Sequence, residues 1–502
     1  MSTLAAEVDC SMGSPTETIG RPSHASSRMV NAVAWTGAAT WVAQLASWGY
    51  IAIVARILTP ADYGLIGMAN VPLGFLMIAS EFGVGNAVIM LPDLTHRQIS
   101  QLNTVAVACG FTLFVVSCFA AYVLGMFFRA PELPLVIMVL SSTLIITSFK
   151  TVPDALLQRE FRFSLLAKIQ AAQAIAFGVT AVTSALSGAA YWSLVIANLT
   201  GATTATLLVL RSRKHTFAWP QFSSLRQSLL FSAHVFGRSV AWYYNSSADF
   251  MVVGRMLGES ALGSYTAAWN IAEQPQRKLS DLVTRVAPPY FSNAQGDVAA
   301  LRKYVLTITQ AVSLFALPAS LGLLLVADDF VYLALGPKWV GAVLPLQLLA
   351  IYSAARCLTS FFAPLLNVIG QSRFVMWNHI LAAVYFTVAF YFASHWGIAA
   401  VALVWALLYP FIGVPLYLRL FKQIELSWRS YWQSMRPAAT ASLIMLIGFL
   451  IFRNALLSSI GPYSRLPAEI IACVAIYFIA LFALHRDELQ RLLTMMRGGR
   501  RE

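Results

Sequence analysis

Fourteen long apolar stretches constrain the fold of this chain more than any other feature of its sequence. A stretch of about 20 apolar residues can cross the hydrocarbon core of a bilayer as an α-helix. The stretches lie at 31–55, 64–91, 101–127, 133–149, 165–186, 189–210, 229–257, 262–290, 304–327, 340–368, 374–394, 397–418, 437–452 and 466–484. The sequence therefore predicts an all-α integral membrane protein with about 14 transmembrane helices.

The composition supports a membrane location. Of the 502 residues, 58% are hydrophobic and 11% are charged, whereas an average soluble protein has about 25% charged residues. So little charge cannot cover a surface in water, and membrane lipids are expected partners. None of the five cysteines forms a CxxC pair, so we expect neither a zinc site nor a disulfide framework, and no metal or other cofactor.

Basic residues indicate the orientation of the helices, because cytoplasmic loops carry an excess of Lys and Arg. With the N-terminus inside, inner loops and tails hold 23 of the 34 Lys and Arg residues, outer loops hold 6, and spans hold the other 5. We therefore expect a multi-pass protein of a bacterial inner membrane with both termini in the cytoplasm. The net charge of +13 is then a topology signal, and no nucleic-acid partner is expected.

The sequence repeats itself across its two halves. Arg56 and Leu58 recur as Arg255 and Leu257, and Gly64 recurs as Gly263, at an offset of 199 residues; Ser80 and Glu81 recur as Ser280 and Asp281 at an offset of 200. An offset of six spans predicts two parallel six-helix repeats around a central cleft, plus two extra C-terminal helices. The expected units are a flexible cytoplasmic tail at 1–30, bundles at 31–210 and 229–420, a cytoplasmic linker at 211–228, and a helix pair with a basic tail at 421–502.

Charged side chains inside spans point to this cleft, since such groups normally face a bundle interior or water. On the seventh span, polar residues from His234 to Asp249 lie within about 60° of one another, and on the eighth, residues from Asn270 to Arg285 lie within about 140°. We expect both stripes to line the cleft. The residues concerned are Arg238, Asn245 and Asp249 on the seventh span, and Asn270, Glu273, Gln274, Arg277, Lys278, Asp281 and Arg285 on the eighth.

Two roles remain open for the acidic residues of these spans. Glu273, Arg277, Asp281 and Arg285 alternate in sign every four residues, so they can pair along their own helix or contact a substrate. Asp249 is either a coupling site for a proton or cation, or a structural partner for an Arg or a helix end. Glu81 in the second span belongs to the same group of ion-coupling or pairing candidates.

Three cations are stronger candidates for binding an anion. Lys278 stands outside the fourfold series, and Arg238 and Arg356 have no acidic residue four positions away. Arg binds phosphate in a bidentate way, and Lys supplies a point charge. No HExxH, GxSxG, Walker or Rossmann pattern stands in a suitable context, so we do not expect an enzyme.

Four segments resemble the polysaccharide-transporter family, and in particular the WzxC-type lipopolysaccharide and exopolysaccharide flippases. They are RILTPADYG at 56–64, VPDALLQREFRF at 152–163, DFMVVGRMLGESALGSYTAAWNIAEQP at 249–275 and VTRVAPPYFSNAQGD at 283–297. The superfamily also holds multidrug extruders and lipid II flippases. The resemblance extends over roughly 29–430, and its motifs shape helix ends and the repeat interface without identifying a cargo.

The resemblance implies that an oligosaccharide linked through pyrophosphate to undecaprenol moves from the inner to the outer leaflet by alternating access. Arg238, Arg277, Lys278 and Arg356 would then hold the pyrophosphate, with Asn245, Asn270 and Gln274 near the sugars. A polysaccharide polymerase or export machinery is a candidate partner. Two other functions stay open: a cation-coupled drug or metabolite antiporter of the same superfamily, and a membrane polysaccharide polymerase.

Overall fold

The chain is helical throughout the part that the structure describes. A computed structural model describes residues 48–81, 84–91, 94–213, 216–221, 243–244, 246–279, 297–456 and 461–486, and these ranges contain no β-strand. Eleven helices in them are long and apolar enough to cross a membrane. The predicted all-α membrane fold is confirmed, whereas the number 14 remains a prediction.

The described part of the first half contains seven helices. Its longest helices pack in antiparallel neighbours, α4 against α5 and α6 against α7, with α5 also against α7. The helices are α1 (Trp48–Ile57), α2 (Pro60–Glu81), α3 (Val84–Met90), α4 (His96–Phe128), α5 (Leu133–Arg159), α6 (Phe163–Leu186) and α7 (Trp192–Ser212).

The described part of the second half repeats this packing and has three further helices, one of them short. Here α11 packs against α12, and α12 and α14 pack against α15. The helices are α8 (246–257), α9 (Glu259–Ala272), α10 (274–279), α11 (Val298–Phe330), α12 (Val343–Thr359), α13 (Phe362–Val368), α14 (Ser372–Ala393), α15 (Ile398–Gln423), α16 (Trp428–Leu456) and α17 (Pro462–Leu484).

Several helices extend beyond the predicted spans. The stretch predicted at 133–149 belongs to α5, which continues to Arg159, and the stretch at 437–452 belongs to α16, which begins nine residues earlier at Trp428. Hydropathy detects only the part of a helix that lies in hydrocarbon, whereas the backbone hydrogen bonds continue into polar sequence. The stretch predicted at 64–91 instead contains two helices, α2 and α3, with 82–83 outside the described residues.

A described piece of the predicted linker lies along the start of α4. Thr104 Oγ1 donates to the carbonyl of Ala218 at 2.9 Å, and Gln101 Nε2 donates to that of Trp219 at 3.1 Å. Gln101 is buried although it is polar, and this bond satisfies its amide. The linker is therefore attached to the first half before the second half begins.

The two C-terminal helices pack on the second half through α11. Tyr477 of α17 donates its hydroxyl to the Leu314 carbonyl at 2.8 Å, and Arg465 lies 3.1 Å from the Asp329 carboxylate. Both contacts end on α11. The extra pair thus packs on α11 of the second half.

Candidate functional site

The two halves meet along α2 and α9, at the glycines that the repeat had marked. A Cβ on Gly64 would overlap the carbonyl of Glu259, and a Cβ on Gly263 would overlap the carbonyl of Pro60. Glu259 and Gly263 are the offset-199 equivalents of Pro60 and Gly64. The contact of Gly64 with Glu259 is therefore equivalent to the contact of Gly263 with Pro60. A two-fold axis that relates parallel repeats requires this equivalence.

Hydrogen bonds across the halves strengthen the same end of the molecule. Trp339 Nε1 donates to the Ala55 carbonyl and Lys338 Nζ to the Ile57 carbonyl, each at 2.9 Å, and the Arg56 guanidinium donates to the Leu333 carbonyl. Ala55 and Ile57 belong to the last turn of α1, whose carbonyls have no acceptor role inside their own helix. The second half thus caps a helix of the first, and we call this end the closed end.

The cover of α9 by α2 is lost as α9 runs away from the closed end, while Tyr243 of the second half still contacts α2. Thr266 still faces Gly67 of α2, with a Cβ on Gly67 coming 3.3 Å from the Thr266 hydroxyl. Asn270 and Arg277 lie within about 40° of Thr266 on the helix, yet both are exposed. A face that is covered at its start and exposed further on lines a cleft that opens away from the closed end.

A bend in this helix places the charged residues at the mouth of the cleft. The α-helix stops at Ala272, Glu273 is a turn, and the chain resumes as α10. Pro275 stands just after the turn, and a proline lacks the N–H that would bond the carbonyl four residues earlier. Pro275 therefore accounts for the interruption of the helix at Glu273, and the next prolines of the sequence, Pro288 and Pro289, lie outside the described residues.

Glu273 joins two arginines into one cluster. Its Oε2 lies 2.7 Å from Arg277 Nη2 and 3.0 Å from Arg277 Nε, and its Oε1 lies 3.4 Å from Arg356 Nη1 of α12. The Arg277 side chain is 58% exposed, whereas those of Arg356 and Glu273 are 21% and 15% exposed. Within this cluster two arginines share one carboxylate, and Lys278 is exposed on the next position.

Aromatic rings pack against Arg356. Its guanidinium carbon lies 5.8 Å from the centre of the Tyr352 ring, and Tyr352 in turn packs on Trp405 at 4.8 Å and on Tyr409 at 4.9 Å. A small cavity beside this cluster is lined by Trp269, Glu273, Gln276, Tyr352, Ser353 and Arg356. A cation over an aromatic face is held in place without a second carboxylate, so part of the Arg356 charge remains available to a ligand.

The pairing within α9 and α10 partly answers the question left open by the charge series. Glu273 and Arg277 form an ion pair along the helix, which was one of the two alternatives. Arg356 has its acidic partner on another helix, 83 positions away, which no spacing along α12 could reveal. Gln274 donates to the Asn270 carbonyl at 3.1 Å, so its amide caps its own helix at the bend.

Asp249 lies inside the second half and not on the cleft. Its side chain is fully buried, and its Oδ2 accepts hydrogen bonds from the Tyr265 hydroxyl at 2.6 Å and from Trp405 Nε1 at 2.9 Å. These two donors tie α8 to α9 and α15. The expected stripe facing water therefore does not include Asp249, because the aromatic core of the second half encloses it; among the described residues, its side-chain partners are Tyr265 and Trp405.

Other predicted site residues fall outside the part of the chain that the structure describes. They are Arg238, Asn245, Asp281 and Arg285. Glu81 is the last residue of α2.

One polar residue on the same interface had escaped the sequence analysis. Asn70 of α2 is exposed and lies one turn beyond Gly67, on the helix that carries the contact with α9. Its carbonyl accepts a hydrogen bond from the Tyr243 hydroxyl at 3.1 Å, next to Pro72. The offset of 200 that relates Ser80 to Ser280 also relates Asn70 to Asn270, and this was the signal that could have revealed it.

Comparison with known proteins agrees with this architecture. A family model described as "polysaccharide biosynthesis protein" matches residues 53–344. An uncharacterized membrane protein in the cps region of Klebsiella pneumoniae is 28% identical over 373 residues, covering 74% of this chain and 77% of its own. The lipopolysaccharide biosynthesis protein WzxC of Escherichia coli K12 is 27% identical over 332 residues, covering 66% of this chain and 68% of its own.

A solved structure shares the fold at low sequence identity. The lipid II flippase MurJ in an inward closed conformation superimposes with a TM-score of 0.75 at 14% identity, over 91% of this chain and 99% of its own. At this identity the likeness concerns the fold alone. It supports the arrangement of the helices described above.

Proposed function

The chain belongs to the polysaccharide biosynthesis protein family, and on this premise we propose that it is a flippase that carries a lipid-linked oligosaccharide across the bacterial inner membrane. The proposed cargo is an oligosaccharide joined through pyrophosphate to undecaprenol. It moves from the cytoplasmic to the outer leaflet, for exopolysaccharide or lipopolysaccharide O-antigen synthesis. The chain itself is proposed to catalyse no covalent step.

One observation supports this proposal most directly: the cluster of Glu273, Arg277 and Arg356 at the mouth of the cleft. A pyrophosphate carries its charge on oxygens that accept hydrogen bonds, and Arg donates to such oxygens in pairs. The partly exposed Arg356 and the exposed Arg277 present their N–H groups where the halves separate. An anionic headgroup entering the cleft would meet this cluster.

The cargo itself explains why a cleft is needed. Its sugars and pyrophosphate are too costly to transfer into hydrocarbon without hydrogen-bond partners, while its polyprenyl tail is stable there. A cleft that holds the head and leaves the tail in lipid solves both problems. The relatives that carry biosynthesis names, and MurJ with its name of lipid II flippase, are consistent with such a cargo.

Alternating access is the proposed mechanism, and the contact between the halves supports it. If both termini are cytoplasmic, as the basic residues predict, the closed end faces outward and the cleft opens inward. Rocking of the two halves about the contact of α2 with α9 would close the inner side and open the outer one. The described arrangement is then the state that loads cargo from the cytoplasm.

Locating the stranded intermediate in a deletion strain tests this proposal. We expect loss of surface polymer and accumulation of the lipid-linked unit on the inner leaflet, where periodate applied to sealed spheroplasts cannot oxidise its sugars until the membrane is permeabilised. Arg356→Ala and Arg277→Ala together should fail to restore export, whereas the exposed Arg429→Ala of α16 should restore it fully.

The other functions predict different results. A membrane polymerase would leave single units on the outer leaflet, open to periodate in sealed spheroplasts. A drug or metabolite antiporter would leave surface polymer unchanged on deletion and confer resistance on overexpression. Either result would contradict the proposal.

A further inference from the structure

Asn70 and Asn270 form a matched pair just beyond the contact of α2 with α9. Both are exposed, and both lie one turn beyond the residues in contact, Gly67 on α2 and Thr266 on α9. They are related by the offset of 200 that also relates Ser80 to Ser280. Two equivalent carboxamides therefore stand on either side of the apex of the cleft.

The environment of these side chains argues that they face the cleft. An exposed carboxamide that pointed into acyl chains would lose its hydrogen bonds to water without replacement. The neighbouring hydrogen bond of Tyr243 goes to the backbone carbonyl of Asn70, and that of Gln274 goes to the backbone carbonyl of Asn270. In both residues the backbone is bonded while the carboxamide remains exposed.

The chemistry of the pair differs from that of the cationic cluster. A carboxamide offers both donors and acceptors without charge, which suits sugar hydroxyls because they also donate and accept. Pyrophosphate oxygens only accept, and the arginines serve them. Arg277 lies seven residues beyond Asn270, which corresponds to about 10 Å along the helix. A sugar attached to a pyrophosphate at Arg277 can span this distance towards the closed end.

We propose that Asn70 and Asn270 bind hydroxyl groups of the sugar portion of the lipid-linked cargo, one residue from each half. This inference rests on the proposed function. It assigns the arginines to the pyrophosphate and the asparagines to the sugar, so that the sugar enters first, towards the closed end. Because one asparagine lies in each half, their contacts with the sugar change whenever the halves move relative to each other.

Binding by the purified full chain in nanodiscs tests the assignment with two defined probes. One probe is undecaprenyl pyrophosphate alone, and the other is undecaprenyl pyrophosphate bearing an N-acetylglucosamine-containing disaccharide. The wild type should bind the second more tightly. Asn70→Ala and Asn270→Ala should each weaken binding of the sugar-bearing lipid about three- to tenfold, the loss of one or two neutral hydrogen bonds, and leave binding of the bare lipid unchanged.

Matched variants separate this effect from damage to the fold. Asn198→Ala in α7, whose carboxamide donates to the Leu194 carbonyl, should bind both lipids as the wild type does. Asn70→Ser and Asn270→Ser serve if either alanine variant elutes as an aggregate. Arg356→Ala should weaken both lipids alike.

Each other outcome has a definite meaning. Wild-type preference for the sugar-bearing lipid that survives both Asn substitutions would overturn the inference and leave the proposed function standing. So would equal binding of the two lipids by the wild type, or equal weakening of both by the Asn variants. A wild type that binds neither lipid would remove the proposed function, and this inference with it.

Discussion

Glu273 holds two arginines at once, and that arrangement determines how strongly the cleft can bind an anion. Its carboxylate lies within 3.4 Å of both guanidinium groups. A carboxylate at this position keeps the arginines ordered while the cleft is empty, because like charges would otherwise repel. A ligand phosphate must compete with Glu273 for the same N–H groups, which favours release as well as binding.

Asp249 provides a test at the scale of one residue. Asp249→Asn keeps the size of the side chain but removes the charge that strengthens its hydrogen bonds from Tyr265 and Trp405. We expect a loss of about 1–2 kcal/mol of stability, measured as a lower midpoint of thermal unfolding in detergent, with transport reduced only in proportion to the folded fraction.

A different role for Asp249 would give the opposite pattern. If it couples transport to a proton or cation, Asp249→Asn should unfold at the wild-type temperature and abolish the dependence of transport on the ion gradient. The half-buried Asp154→Asn in α5, which loses only a bond from the nearby Gln158, is the matched control.

At the scale of helices, the close approach of α2 and α9 depends on two glycines. Their Cα atoms lie directly against the carbonyls of the partner helix, so a methyl group at either position cannot be accommodated without separating the helices. Small residues of this kind allow helices in membranes to approach closely. The closed end is thus held by backbone contact as well as by Lys338 and Trp339.

We expect Gly64→Ala or Gly263→Ala to shift the protein towards states with the closed end separated. Spin labels at the exposed Arg129 and Ser260, one in each half, should report a longer or broader distance distribution. Gly322→Ala in α11, where a Cβ would meet nothing within 4 Å, should leave the distribution unchanged. An unchanged distribution in the Gly64 and Gly263 variants would mean that these glycines do not hold the closed end.

The helices and the repeat could be predicted from the sequence, since both depend on patterns along the chain. The offset of Gly64 and Gly263 identified the contact between the halves. The partner of Arg356 and the burial of Asp249 could not be predicted, because both depend on which helices pack side by side. Asn70 could have been predicted as the equivalent of Asn270 in the repeat, but the candidate residues were chosen from spans that carry several charges, and Asn70 is uncharged.

The whole molecule combines a rigid contact with an opening cleft. The halves share one apolar core that runs from α1 and α5 to α12 and α15, and α9 becomes exposed where it passes from Thr266 to Asn270. The exposed Asn270, Arg277 and Lys278 lie beyond that point. A two-fold related pair of bundles with its polar residues beyond the contact is suited to moving a polar headgroup past hydrocarbon by rocking.

The most direct measurement is the rate at which the purified protein moves the sugar-bearing undecaprenyl pyrophosphate between the leaflets of proteoliposomes. A membrane-impermeant oxidant in the outer medium reports how much lipid has reached the outer leaflet. We expect the wild type to expose the inner-leaflet fraction, and Arg277→Ala with Arg356→Ala to expose it at least tenfold more slowly, near the rate of protein-free vesicles. Equal rates for the wild type and the double variant would contradict the account, because the anionic headgroup would then cross without the cluster at the mouth of the cleft.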